Sequence, residues 1–182
     1  MKKLRGFSLL EVIYCCAIIA IVAAILTPVF RSAKHAAQVT ASISNLHQMS
    51  VALNLYQTAQ GATAQYGTLE QMGMPSGITA YDSLNLPAEV WRTPCGLNPS
   101  WFGGGPITKQ YEYFAMTSIS NWEDAVNKYH DNAVTFIDMN CAEHGEPLAS
   151  DFFPHQGLGV RLSGELLNLH KPGDYKFQSW WN

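Results

Sequence analysis

Gly6-Phe7-Ser8-Leu9-Leu10-Glu11-Val12-Ile13 opens an apolar helix pattern with one acid set inside it, and the layout of the chain follows from that pattern. Glu11 is the only charge between Arg5 and Arg31. A carboxylate in bilayer hydrocarbon costs about 2.5 kcal/mol or more, so an acid in such a run marks a functional residue with a partner. Val12 to Phe30 then supplies nineteen residues without a charge, about 28 Å as helix, close to the hydrocarbon thickness of a membrane. Lys2, Lys3 and Arg5 precede this segment and few positive residues follow it closely. That asymmetry places the N-terminus in the cytoplasm and the remainder outside. A cleaved secretory signal needs a small-x-small site after the apolar run, and Leu26-Thr27-Pro28-Val29-Phe30 offers none. A lipoprotein signal fits no better, because Tyr14 rather than a small residue precedes Cys15.

The helical pattern continues past the membrane length. Val39, Ile43, Leu46, Met49 or Ser50, Leu53 and Tyr56 recur at spacings of three and four, which marks one helix face. The first glycine after Phe7 is Gly61, so one helix is expected from Phe7 to about Gln60, about 80 Å long at 1.5 Å per residue. Pro28 lies inside it. A proline there either marks the membrane exit or imposes a kink or local unwinding, since it removes a hydrogen bond and crowds the preceding turn.

The basic leader ending in Gly6, followed by Phe7 and by Glu11 in the apolar run, resembles the class III signal of type IV pilins and type II secretion pseudopilins. The resemblance implies cleavage between Gly6 and Phe7 by prepilin peptidase and N-methylation of the new terminus at Phe7. It also implies that Glu11 pairs with the N-terminus of a neighbouring subunit, and that the helix loosens near Pro28 on assembly. The match covers about the first 30 residues. A weaker likeness to pseudopilin-like helices lies in Ser44-Asn45-Leu46-His47-Gln48, where many such helices read S-N-L-K-Q.

Residues 61–109 are rich in turn signals, among them Pro75-Ser76-Gly77, Asn98-Pro99 and Gly103-Gly104-Gly105-Pro106. They read as an irregular connection with a short helix around Leu69. Strands are expected at 111–117 and 133–138, and a hairpin over 159–169 turning at Ser163-Gly164. The expected class is α+β: a long N-terminal helix, transmembrane in its first half, packed by its second half on a small antiparallel sheet, the layout of the pilin fold. The segments are a leader (1–6), a transmembrane half-helix (7–30), an amphipathic half-helix (31–60) and a globular domain (61–182). Cys95 and Cys141 are the cysteines outside the membrane run. An extracytoplasmic setting favours a disulfide between them, stabilising by about 2–4 kcal/mol, with two unpaired thiols as the alternative.

Formal net charge is -3. From Arg31 onward eight basic residues face thirteen acidic ones, so no counterion-release term drives nucleic-acid binding. Asp138, Asn140, Cys141, Glu143, His144, Glu146, Asp151 and His155 are dense in donor atoms, but their spacing matches neither a zinc pattern nor a calcium loop. No cofactor is expected. Some major pseudopilins hold calcium in C-terminal loops, so the resemblance leaves a structural calcium as an alternative to a solvated turn, with no ligand assigned. No nucleophile elbow, phosphate loop or dinucleotide fingerprint is present, so no enzyme activity is expected. Among the five tryptophans, Trp180 and Trp181 are expected at a subunit interface. The resemblance implies prepilin peptidase, an assembly platform with its cytoplasmic ATPase, and like or unlike pilin-type subunits as partners. The alternatives are a single-pass anchored extracytoplasmic binding protein that never polymerises, and an anchored hydrolase using the region from Asp138 to His155.

Overall fold

In the computed structural model the described residues are 9–76, 79–96, 111–113, 119–141, 155–173 and 178–182. Helix α1 spans Leu9–Gln60, 52 residues. It ends as its first glycine predicts. Gly61 takes φ 69°, its N–H reaches the Thr58 carbonyl and the Ala62 N–H reaches the Gln57 carbonyl. This is the glycine-terminated cap that satisfies the last helical carbonyls. Pro28 lies within α1 without interrupting it, so local unwinding is not adopted. Thr27 Oγ1 donates to the Ala23 carbonyl at 2.7 Å, one turn back, beside the Ala24 carbonyl that Pro28 cannot reach with an N–H.

The chain divides into two units, Met1–Ala37 and Gln38–Asn182. In the second, the apolar stripe of α1 is buried as its spacing requires. Leu46 and Met49 are fully enclosed, Val39 and Leu53 are buried, and Ile43 and Tyr56 pack against the same core. The sheet has the order β1-β2-β3-β4 and is antiparallel throughout. Its strands are β1 (Glu112–Tyr113), β2 (Val134–Asp138), β3 (His155–Arg161) and β4 (Leu166–Lys171). Residues 114–117 of the expected first strand lie outside the described residues. β2 is buried along its whole length, with Phe136 stacked on Tyr113 at 5.0 Å between ring centroids. The β3–β4 hairpin turns where Ser163-Gly164 places it. Gly164 has φ 85°, and Arg161 and Glu165 close the turn with an ion pair at 2.7 Å.

Two expectations are corrected, and one helix stands where the sequence reading expected no element. No helix forms around Leu69. The chain instead takes turns closed by Met72 N–H to Thr68 O and Met74 N–H to Leu69 O, and Leu69 N–H is taken by the Glu123 carboxylate. The short helix of this connection is α2, Ala80–Ser83. An 11-residue helix, α3 (Ile119–Tyr129), stands before β2 and buries Trp122, Ala125 and Val126. Finally, Trp180 and Trp181 do not form an exposed face. They lie in α4 (Gln178–Trp181), 5% and 1% exposed, inside their own domain.

The reason is in β3. Gly157 and Gly159 share one face of the strand, and a Cβ at either position would stand 2.8–2.9 Å from the tryptophan rings. Leu158 and Val160, between and beside them, are fully buried. Bare backbone thus provides the seat for the indoles. Gln178 locks α4 in place, with its Oε1 accepting the Val134 N–H at 2.8 Å and its Nε2 donating to the Val134 carbonyl at 2.7 Å. A side-chain amide here satisfies both backbone groups of a buried strand residue.

Candidate functional site

Two regions carry chemistry that the fold alone does not require. The first is the N-terminal part of α1. Every residue from Leu9 to Lys34 is exposed, including thirteen large apolar side chains between Leu9 and Phe30. Leu9 is 80% and Phe30 73% exposed. Burying a side chain of this kind stabilises by about 1.5–3 kcal/mol, so on the order of 20 kcal/mol or more favours removing this surface from water. A contiguous apolar surface of this extent marks a membrane or protein interface, and the segment is long and apolar enough to cross a membrane. Glu11 occupies the first turn of α1, where a negative charge suits the helix dipole. Cys15 and Cys16 are exposed thiols on the same helix. Gly6 and Phe7 lie outside the described residues.

The second region is a buried carboxylate. Asp138, at the end of β2, is 1% exposed. Its Oδ2 accepts hydrogen bonds from Ser42 Oγ of α1 at 2.5 Å and from Thr93 Oγ1 at 2.7 Å. Its Oδ1 accepts the Asn140 backbone N–H and Asn140 Nδ2, each at 2.9 Å. Ser42 in turn accepts from the Tyr111 hydroxyl at 3.0 Å, and that hydroxyl accepts from Asn45 Nδ2 at 3.1 Å. Burial, reinforced by the nearby Asp138 charge, pushes the Tyr111 hydroxyl well above the ordinary tyrosine range, so it stays a donor. Cys95 and Cys141 are joined in a disulfide with their Cα atoms 5.0 Å apart. Cys141 Sγ lies 3.7 Å from Asp138 Oδ2, and as a disulfide sulfur it has no hydrogen to donate.

The helix side of this arrangement is a polar stripe. Gln38 Nε2 donates to the Pro94 carbonyl at 2.8 Å, Ser42 to Asp138, and Asn45 Nδ2 to the Arg92 carbonyl at 3.3 Å. Residues 38, 42 and 45 are spaced four and three apart and so share a helix face. Apolar periodicity passes over them, and the spacing of three uncharged polar residues beside the apolar stripe was the signal available. The stripe fastens α1 to the disulfide segment and, through Asp138, to the end of β2.

Asp138, Asn140 and Cys141, which the sequence groups with metal-type donors, are therefore engaged with one another and with α1. Among the described residues no group of three His, Cys, Asp or Glu side chains converges to hold a metal. Glu143, His144, Glu146, Asp151 and Trp101 lie outside the described residues, as does the side chain of His155.

Residues 1–27 match the prokaryotic N-terminal methylation motif. This is the prepilin-type signal of type IV pilins and pseudopilins. Comparison with the curated proteins and with the solved structures gives no match. The signal is of the kind that prepilin peptidase processes, and with the exposed apolar helix it fits a membrane-anchored N-terminus.

Proposed function

We propose that this chain, which carries the prepilin-type signal in its first 27 residues, is a pilin or pseudopilin subunit of a type IV pilus-like or type II secretion filament. The observation that carries the reading is the union of that signal with an exposed, acid-bearing apolar helix continuous with a folded domain. Prepilin peptidase cuts after Gly6 and Phe7 is N-methylated. The mature chain waits in the inner (cytoplasmic) membrane as a single-pass protein, held by the apolar half of α1 with the globular domain outside. The assembly platform and its ATPase then extract it into the filament, and lipid contacts of the helix are exchanged for helix–helix contacts.

Cross-linking in cells of the native host, followed by isolation of this chain, tests the reading. Other pilin-type subunits joined to it through N-terminal helices are the expected result. Recovery of this chain only as a monomer, in cells where other pilin-type subunits cross-link to each other, would instead favour an anchored binding protein that does not polymerise.

A further inference from the structure

The disulfide and the buried carboxylate are too close to be chemically independent. We propose that Asp138 holds the Cys95–Cys141 bond closed against thiol exchange in the folded protein by opposing the departure of Cys141 as a thiolate. Exchange begins when an external thiolate attacks one sulfur and the other leaves with the bonding electron pair. Cys141 is 1% exposed, whereas Cys95 is only partly buried against the core, so Cys95 is the more accessible of the two to an incoming thiolate. The sulfur that must leave is then Cys141, 3.7 Å from Asp138 Oδ2.

A carboxylate beside a leaving thiol can act in two opposite ways. If protonated, it donates its proton to the departing sulfur and speeds the step. If it is charged and already satisfied, it repels the new negative charge and slows the step. The geometry favours the second. A carboxylate has about four acceptor positions, and Asp138 uses them on Ser42, Thr93 and the two N–H groups of Asn140. All four partners donate, so the carboxylate is set up as an acceptor. No cation forms an ion pair with it among the described residues. The inference does not depend on whether the chain polymerises.

The test uses the oxidised full chain in detergent micelles and a small dithiol such as dithiothreitol. One thiolate of the reagent attacks Cys95 Sγ and the protein S–S bond breaks, leaving a mixed disulfide on Cys95 and a thiolate on Cys141. The reagent's second thiolate then attacks its own sulfur in that mixed disulfide and releases Cys95. The dithiol is oxidised by two electrons and the protein disulfide is reduced to two thiols. Alkylation at timed intervals and mass measurement give the rate. The part that does not vary with low urea concentrations reports the folded state.

Asp138→Asn is expected to raise that rate about tenfold or more, the size appropriate to removing a like charge beside a leaving thiolate. Ser42→Ala, which loosens the same network but keeps the charge, is expected to leave the rate at or below that of the unaltered chain. A rate for Asp138→Asn equal to or slower than the unaltered chain would overturn the proposal, and slower would identify Asp138 as a proton donor. Equal acceleration in both variants would also overturn it, since loosening rather than charge would be the cause. If Asp138→Asn does not fold, the unaltered chain still decides. Brief exposure to glutathione should trap the adduct on Cys95, and an adduct on Cys141 would refute the proposed direction of exchange.

Discussion

Replacing Glu11 by Ala is expected to leave the chain cut, methylated and held in the membrane, yet to reduce its recovery in assembled filaments by about tenfold or more. Glu11 is an exposed acid in the first turn of α1, amid apolar side chains. Lipid alone penalises its ionised form by about 2.5 kcal/mol or more. An opposite charge within ~4–6 Å removes that penalty. In a processed chain, the α-amino group of Phe7 supplies a positive charge at the membrane surface. A neighbour's Phe7 amine brought beside Glu11 neutralises two charges that would each be costly in a packed apolar core. The alanine variant should partition into membrane at least as well as the unaltered chain, because only a charge has been lost. The comparison is the ratio of assembled to membrane-held protein, read by blotting both fractions. An alanine variant that assembles at the normal ratio would remove Glu11 from the assembly step.

Asp138→Ala is expected to cost about 3–4 kcal/mol of folding stability. Hydrogen bonds to charged groups contribute about 1.5–3 kcal/mol each, and a buried donor left without its acceptor costs about 1–3 kcal/mol. Truncation leaves Ser42, Thr93 and both Asn140 N–H groups without this acceptor in a site already closed to water. Part of that loss is recovered when the hydroxyls turn to other carbonyls, so the individual costs do not sum. Ser42→Ala, which removes one donor and leaves the other three, should cost about 1 kcal/mol. Urea unfolding of the full chain in micelles, followed by tryptophan fluorescence, gives both values. A change below about 0.5 kcal/mol for Asp138→Ala would show that the carboxylate does not bind α1 to the sheet.

These two acids were not equally legible. Glu11 declares itself because one charge in a run of apolar residues has no ordinary explanation. The extent of α1 is legible for a related reason: its apolar stripe repeats at three and four, and Gly61 supplies the φ of 69° that ends it. The hairpin turn at Gly164 and the buried run of β2 are similarly local properties. Asp138 gives no such signal. Its partners come from residue 42, residue 93 and residue 140, and no periodicity links positions so far apart in the chain. Gln178 and Val134 are 44 residues apart, and a lone glutamine near a terminus looks like any surface residue.

Trp180 and Trp181 show the same limit from the other side. Two tryptophans at a chain end suggest an interface until Gly157 and Gly159 are seen to form a bare strand face beneath them. The sequence Gln156-Gly157-Leu158-Gly159-Val160 alternates glycine with large apolar residues, and that alternation was the available sign of a flat seat for aromatic rings. The helix α3 was within reach too, since Trp122, Val126 and Tyr129 are spaced four and three apart. Around Leu69 the opposite error arises. Local propensity allows a helix, but tertiary contacts through Glu123 draw the chain into turns.

The most direct test of the central claim is intact mass with N-terminal sequencing of the chain recovered from membranes of its native host. A polypeptide that starts at Phe7 and is heavier by one methyl substitution is the predicted result, establishing the cut after Gly6 and the modification that the N-terminal motif specifies. A polypeptide still starting at Met1, in cells whose prepilin peptidase processes other substrates, would contradict the account.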